Sequence, residues 1–440
     1  MKEDKSHLRV WKARGTNYIA MPLVVFILLV LALAVAALLI WSVKRNIDAE
    51  LRVQAPGELR TLMPSIVGLT HGSLDTGNRV EILQNGDGFF PRVMADIAAA
   101  RHSVHVETYI WYDGKLASQL VTLLAQKARQ GVHVRVLVDG TGGRQLDGDD
   151  VELLKAAGAE IAHFHPIRIS NLGRLNNRDH RKLWIIDGRI AYTGGHGIAD
   201  TWLGNGQDKE HFRDTAIRME GPVVNRLQGA FSENWIEETG DIPAGAEYFP
   251  PLLPSGTTPV HVAFTSPAHS ISSVQVLYYL AIKAARHEII IQNPYLLPDK
   301  EAIEALEEAV ARGVDVKIMV PSDNVTDSAP VQHASHHHFG TLLKRGVKLW
   351  EYDRTLLHQK VIIVDGLWAS VGSTNFDDRS FQLNDEISVG MVDPAVAAQL
   401  EAAFEADLKY ARRVQLDQWK DRGAWHKFVD GLAYLGRSQL

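Results

Sequence analysis

Two stretches decide how this chain is read: "DHRKLWIIDG" at 179–188 and "LHQKVIIVDG" at 357–366. Each places a histidine, a lysine two positions on and an aspartate five beyond that. These are His180, Lys182 and Asp187 in the first copy, and His358, Lys360 and Asp365 in the second. The residues between Lys and Asp are apolar in both, as in a buried strand that the aspartate ends. A lone His-x-Lys on a strand is ordinarily a solvated face. The same pair repeated after 178 residues asks for another explanation.

Working outward, the surroundings recur as well. "ARHSVHVETYIWYDG" from Ala100 resembles "ARHEIIIQNPYLLPD" from Ala285, and "ARQGVHVRVLVDG" from Ala128 resembles "ARGVDVKIMVPSD" from Ala311. "LLKAAGAEI" from Leu153 resembles "LLKRGVKLW" from Leu342. Four landmarks in one order at nearly one offset indicate two copies of one αβ unit, 76–237 and 260–410. The proline-rich stretch 238–259 reads as the linker between them. Within a copy, strand-like "HSVHVETYIWYDG" (102–114), helical "LASQLVTLLAQKARQG" (116–131) and strand-like "VHVRVLVDG" (132–140) alternate. That alternation predicts an α/β fold: two tandem units about a pseudo-twofold axis, each a mostly parallel sheet flanked by helices. Two such half-sites packed together bring two His and two Lys to one place.

The chain has 440 residues, 46% hydrophobic and 22% charged, which is ordinary for a folded protein. Its formal charge of −6 leaves no electrostatic footprint for nucleic acid, so no such partner is expected. Without cysteine there is no disulfide, no thiolate nucleophile and no Cys-bound zinc. Near the N-terminus, Tyr18 to Trp41 is 24 residues without a charged or amide side chain. As a helix it is about 36 Å long, more than the ~30 Å hydrocarbon core. The expectation is a cap at 1–17, a transmembrane anchor at 18–43 and a juxtamembrane linker at 44–75. A cleaved signal peptide fits less well, its apolar region being only about 7–15 residues. Five basic residues precede the segment (Lys2, Lys5, Arg9, Lys12, Arg14) and four follow it (Lys44, Arg45, Arg52, Arg60). This small excess favours a cytoplasmic N-terminus and a body outside the cell membrane.

Imidazole titrates near pH 6.5, so one histidine of a close pair can be neutral and attack while the other is protonated and donates. Two ammonium groups suit an anion whose charge is spread over non-bridging oxygens. The set therefore suits phosphodiester chemistry through a phosphohistidine, with no metal and no other cofactor required.

The paired HxKxxxxD motif resembles that of the phospholipase D superfamily. With "GSTNFDDRSFQLNDE" (372–386), "YTGGHGIAD" (192–200), "HFRDTAIRMEGPVV" (211–224), "IQNPYLLPD" and "RGVDVKIMVP", the chain is similar to the bacterial cardiolipin synthase branch over 80–410. The resemblance implies that His180 is the nucleophile and His358 the acid/base. Lys182, Lys360, Ser373 and Asn375 would hold the phosphate. Glu386 would orient the second histidine, and Asp214 the first. Asp187 and Asp365 complete the catalytic motif but, ending their strands, read as structural supports. Where the second copy has Gly-Ser-Thr-Asn, the first has Gly194 to Gly197 as "GGHG", so the phosphate hold is asymmetric. The implied partners are a membrane and phospholipid substrates, phosphatidylglycerol as both donor and acceptor. Transfer to water would make a hydrolase instead; a nuclease or a catalytically silent membrane scaffold are the remaining readings.

Two segments lie outside this scheme. "HASHHHFG" (333–340) puts His333 and His337 at i, i+4, as in zinc helices, but offers no third ligand and is read as polar contact or solvated surface. The tail 411–440 mixes Trp419, Trp425, Phe428, Leu432 and Leu435 with basic residues. It fits either a membrane interface or a surface helix packed on the body.

Overall fold

The computed structural model describes residues 17–43 and 51–436, apart from 54–56, 147, 169–170, 172–173, 175 and 267–271. Residues 1–48 and 49–440 form separate compact units. In the first, a helix runs Asn17–Val43. Its side chains are described for 23–37, where Leu, Val, Ile and Phe are exposed. Among the described residues, no helix is long and apolar enough to cross a membrane. The expected interfacial residues Tyr18 and Trp41, and Lys12, Arg14, Lys44 and Arg45, lie outside the described side chains.

The body is built on β1 (Leu74–Gln84), β2 (Ser103–Thr108), β3 (His133–Asp139), β4 (Glu160–Phe164), β5 (Leu183–Ile186), β6 (Ile190–Gly194) and β7 (Thr215–Glu220), followed by β8 (Thr258–Thr265), β9 (Glu288–Gln292), β10 (Leu296–Leu297), β11 (Asp315–Pro321), β12 (Lys348–Tyr352), β13 (Val361–Val364), β14 (Trp368–Gly372), β15 (Phe376–Asp377), β16 (Glu386–Val392) and β17 (Ala411–Arg413). Apart from the short β10–β15 pair, they form one sheet, ordered β17-β12-β11-β9-β13-β14-β16-β8-β1-β7-β6-β5-β2-β3-β4. Read outward from the central β8–β1 pair, the two halves present corresponding strands in the same order.

This corrects the expectation of a mostly parallel sheet. In this sheet, among the described residues, β2-β3-β4 and β9-β11-β12, the strands joined by helical crossovers, pair in parallel and the other neighbours are antiparallel. The cause is a tight turn after each motif strand. Asp187 and Gly188 both take positive φ, as do Asp365 and Gly366. Arg189 N–H closes the turn on Ile186, and Leu367 N–H on Val364. Such turns match the twist of antiparallel strands, so β5 folds back as β6 and β13 as β14.

Alternation along these strands divides the core. Leu183 and Ile185 of β5 join Val361 and Ile363 of β13 in one core spanning both halves, capped by helices Val224–Thr239 and Pro394–Asp407. Trp184 and Ile186 face a second core, and Ile362 and Val364 a third. Burial on both faces is why these strands are apolar throughout. The third core also takes in helix Leu59–Leu69, through Leu59, Leu62, Met63 and Ile66. Each such side chain contributes about 1.5–3 kcal/mol. The stretch expected as a juxtamembrane linker thus holds part of the core.

The two motif aspartates serve this scaffold. The Asp187 carboxylate accepts backbone N–H bonds from Arg101, His102 and Ser103, and Asp365 accepts them from Arg286, His287 and Glu288. Each ties its hairpin to the start of the neighbouring strand. Asp187→Ala should therefore lower stability by about 1–3 kcal/mol, by leaving N–H groups without their acceptor. Urea denaturation should read that loss, while the folded fraction keeps its turnover within a few-fold. A wild-type midpoint with abolished turnover would move Asp187 into the site.

Candidate active site

His180 and Lys182 lie on the extended run entering β5, and His358 and Lys360 on the run entering β13. Residues two apart on an extended chain share a side, so each histidine and lysine face together. The residue between faces away. Arg181 reaches across to the carbonyls of Ala230 and Thr265, both at 2.7 Å. Backbone bonds then interlock the halves: His180 N–H donates to Asp385 O, and Asp385 N–H to Arg178 O. On the other side, His358 N–H donates to Arg213 O, and Arg213 N–H to Leu356 O.

This interlock overturns the expected pairing of carboxylates. Glu386 does not orient the second histidine; it receives His180 Nδ1–H at 2.9 Å. Asp214 receives His358 Nδ1–H, also at 2.9 Å. Each half supplies the carboxylate for the other half's imidazole, because the bridging residue next to each acid is paired across the axis. The chemical result is the same on both sides. A carboxylate at Nδ1 fixes the tautomer that leaves the lone pair on Nε2.

The surroundings set the charge states. Burial lowers the His180 pKa to about 4 despite the opposing pull of Glu386. Burial and the Lys360 ammonium also lower His358, against the attraction of Asp214. Burial favours the neutral acids as well, yet His180 holds Glu386 below its usual range, and His196 and His358 do so for Asp214. Burial brings Lys182 down to about 8. Burial, with the Lys182 charge added and against the pull of Asp214, brings Lys360 down to about 7. The lysines differ in placement too. Each Nζ donates to the carbonyl of its own motif histidine, Lys182 to His180 at 2.8 Å and Lys360 to His358 at 2.6 Å, but Lys360 Nζ also lies 3.0 and 3.1 Å from the two ring nitrogens of His358. An ammonium so close to the His358 ring opposes a second positive charge there.

The Gly-Ser-Thr-Asn difference has a structural consequence. Ser373 Oγ–H donates to Glu386 Oε2 at 2.5 Å and accepts Ile387 N–H, so its hydroxyl is committed to positioning Glu386. Asn375 is buried, with Oδ1 left without a protein partner. In the first half, a Cβ on Gly195 would lie 2.3 Å from Asp214 Oδ1. The glycine makes room for a carboxylate held by the Trp202 indole N–H at 2.9 Å and the Thr215 N–H at 2.8 Å. Trp202, Tyr109 and Phe212 were missed from the sequence. Tyr109 meets His180 edge-on at 5.2 Å, Trp202 meets His358 likewise at 5.2 Å, and Phe212 lies against His358. No local pattern marks these aromatics; "GGHG" marks only His196, which is buried and stacked on Phe89.

Against known proteins, the profile described as "Cardiolipin synthase, PLD-like domain" matches residues 93–235 and 278–408. The chain belongs to this family of phospholipase D-like proteins. It is 33% identical over 365 residues to cardiolipin synthase 2 of Staphylococcus epidermidis, covering 82% of this chain and 74% of that one. It is 33% identical over 382 residues to the major cardiolipin synthase ClsA of Bacillus subtilis, covering 86% and 78%. The phosphatidylserine synthase structure from Haemophilus influenzae shares the fold, with a TM-score of 0.62 at 14% identity, covering 84% of this chain and 98% of that one.

The histidine cluster pairs differently from the sequence pattern. His333 and His336, not His337, meet Asp430 of the tail, at 2.9 and 3.6 Å. Their donor atoms and that carboxylate lie within 4.8 Å of one another. Arg422 occupies the other Asp430 oxygen at 2.7 Å, and His337 stacks on Tyr434.

Gly195→Ala should displace Asp214 and lower turnover about 100-fold, since a shift near 1 Å in a catalytic group has that effect. The far-ultraviolet circular dichroism should stay unchanged; wild-type turnover would mean that Asp214 does not position His358. The pH profile of kcat/KM on a soluble nitrophenyl phosphodiester, whose leaving group needs no proton from His358, reports the free enzyme. Its acid limb should fall well below pH 6.5, because His180 stays neutral down to about 4. Glu386 raises the His180 pKa, so Glu386→Gln should move that limb lower still. The alkaline limb should begin near pH 7, where Lys360 loses its proton, and Lys360→Arg should move it up.

Proposed function

We propose that this protein is a membrane-anchored phosphatidyltransferase that makes cardiolipin from phosphatidylglycerol. The observation that carries the reading is the crosswise pair of imidazoles, each with Nδ1 held by the other half's carboxylate and each beside a lysine, in a chain of the cardiolipin synthase family. His180 Nε2 attacks phosphorus in the form of the enzyme whose His358 has taken up a proton on Nε2, and the P–O bond to the leaving glycerol breaks as His358 gives that proton to the glycerol oxygen. Lys182 and Lys360 carry positive charge toward the non-bridging oxygens, with the Asn375 amide as a further donor. The free primary hydroxyl of a second phosphatidylglycerol headgroup then loses its proton to His358 and attacks the phosphatidyl-His180. Cardiolipin leaves, and both histidines return to their starting states. The relatives named cardiolipin synthase support this choice of donor and acceptor.

The anchor is the segment 18–43. Its support is the charge-free run in the sequence and the exposed apolar side chains at 23–35. The basic residues around it favour a cytoplasmic N-terminus with the catalytic body outside. A phospholipase D that releases phosphatidic acid is the second reading, because water can resolve the same intermediate.

Purified protein with labelled phosphatidylglycerol in mixed micelles should yield cardiolipin and glycerol. Phosphatidic acid as the main product would make it a hydrolase, and no turnover would leave a scaffold. The roles of the two histidines separate on a nitrophenyl phosphodiester, whose phenolate leaves without a proton. His358→Asn should lose at least ~10³ of turnover on the lipid but retain far more on the activated ester. His180→Asn should fail on both, and the opposite pattern would exchange the roles.

A further inference from the structure

The C-terminal helix Ala424–Leu435 has two unlike faces. One is docked: Asp430 is 3% exposed, paired with His333 and Arg422, and Tyr434 stacks on His337 at 3.9 Å. The other carries Trp425, Phe428, Leu432 and Leu435, exposed by 71%, 59%, 59% and 76%. At helical spacing these four fall within an arc of about 80°. Four large apolar side chains aligned on one exposed face form a surface that water disfavours.

Charge decides what covers it. The chain carries −6 overall, yet residues 409–436 hold Lys409, Arg412, Arg413, Lys420, Arg422 and Lys427 against three aspartates, one of them the buried Asp430. Beside the docked face, His337, Thr341, Lys344 and Arg345 line a cavity of about 530 Å³. A second copy of this chain would set these cations against each other, whereas an anionic bilayer takes both the apolar stripe and the basic flank.

Position gives the face its use. Ala433 and Tyr434 pack with Tyr295 on Leu297, Val331 and Ala334. The Tyr295 hydroxyl donates to Asp327 at 2.7 Å, and Asp327 is close enough to bias the charge on His358 and Lys360. The helix thus packs on the Tyr295 side chain, whose hydroxyl bonds the Asp327 that faces the catalytic pair electrostatically. We infer that the helix Ala424–Leu435 lies in the headgroup layer of an anionic bilayer, with Trp425, Phe428, Leu432 and Leu435 inserted, holding the active-site entrance against the lipid. The choice of a bilayer rests in part on the phospholipid-substrate reading.

The absence of cysteine permits a direct test on the full-length protein. Spin labels on Phe428→Cys, Leu432→Cys and, off the stripe, Asp417→Cys are compared in vesicles of phosphatidylcholine with and without phosphatidylglycerol. With phosphatidylglycerol, labels at 428 and 432 should collide with oxygen and be shielded from a water-soluble nickel chelate, and the label at 417 should do the reverse. Nickel access at 428 and 432 in both vesicle types overturns the inference. Shielding from both colliders, with spin–spin broadening, overturns it in favour of a second copy. Phe428→Glu with Leu432→Glu should lower cardiolipin formation on vesicles about 10-fold. It should leave turnover of the soluble phosphodiester unchanged; equal loss on both substrates would make the helix structural only. Cardiolipin formation with water-exposed labels would sink the docking and spare the function. Inserted labels without phosphatidylglycerol turnover would do the opposite.

Discussion

The hydrogen bond from each imidazole Nδ1 to a carboxylate of the opposite half is the constraint on which this molecule depends. Neither Glu386 nor Asp214 has measurable side-chain exposure, and a carboxylate taken out of water is costly unless it is paired. His180 and His358 supply that partner from across the axis. The halves cannot separate without stranding two buried acids, so catalytic geometry and assembly share the same bonds. The shared core beneath, built from β5 and β13 together, makes the same demand in apolar terms.

A second buried charge enforces the interlock. Arg181 has no exposure and meets Glu233 at 3.0 Å and Asp385 at 3.5 Å, besides its two carbonyls. Asp385 is the residue whose carbonyl takes His180 N–H. Losing one member of a buried pair costs about 3–5 kcal/mol, because the other is left charged and dry. Burial pushes the carboxyls of Asp385 and Asp179 up and that of Glu107 to about 7, so this region is electrostatically costly without the arginine. Its return is placement: the His180 ring is positioned from below by charge and from the side by Glu386.

The site is symmetric in backbone and asymmetric in chemistry. A serine on one side and a glycine on the other follow from the acid each must accommodate. Ser373 bonds the longer glutamate, whereas Gly195 leaves room for the shorter aspartate and its tryptophan donor. The lysines differ likewise: both donate to a histidine carbonyl, and Lys360 also lies against the His358 ring. A duplicated site can therefore give its two histidines different work without changing the motif.

Much of this was legible in the chain. The repeated His-x-Lys, its offset, the helical crossovers and the apolar motif strands follow from local spacing, and local spacing is what a linear pattern records. The turn at Asp187–Gly188 is also local, yet its weight against the crossovers was underread, and the sheet came out mainly antiparallel. Three features were beyond any linear pattern. The crosswise carboxylates depend on backbone bonds between segments about 205 and about 145 residues apart, and their equivalent positions in both copies gave no reason to cross them. Tyr109 and Trp202 reach the histidines only because their strands and turns converge there. Asp430 meets His333 and His336 only once the tail helix has docked. The sequence by itself determined which chemical groups recur in both halves; the tertiary structure decided which of them touch, because contact across the axis is set by packing.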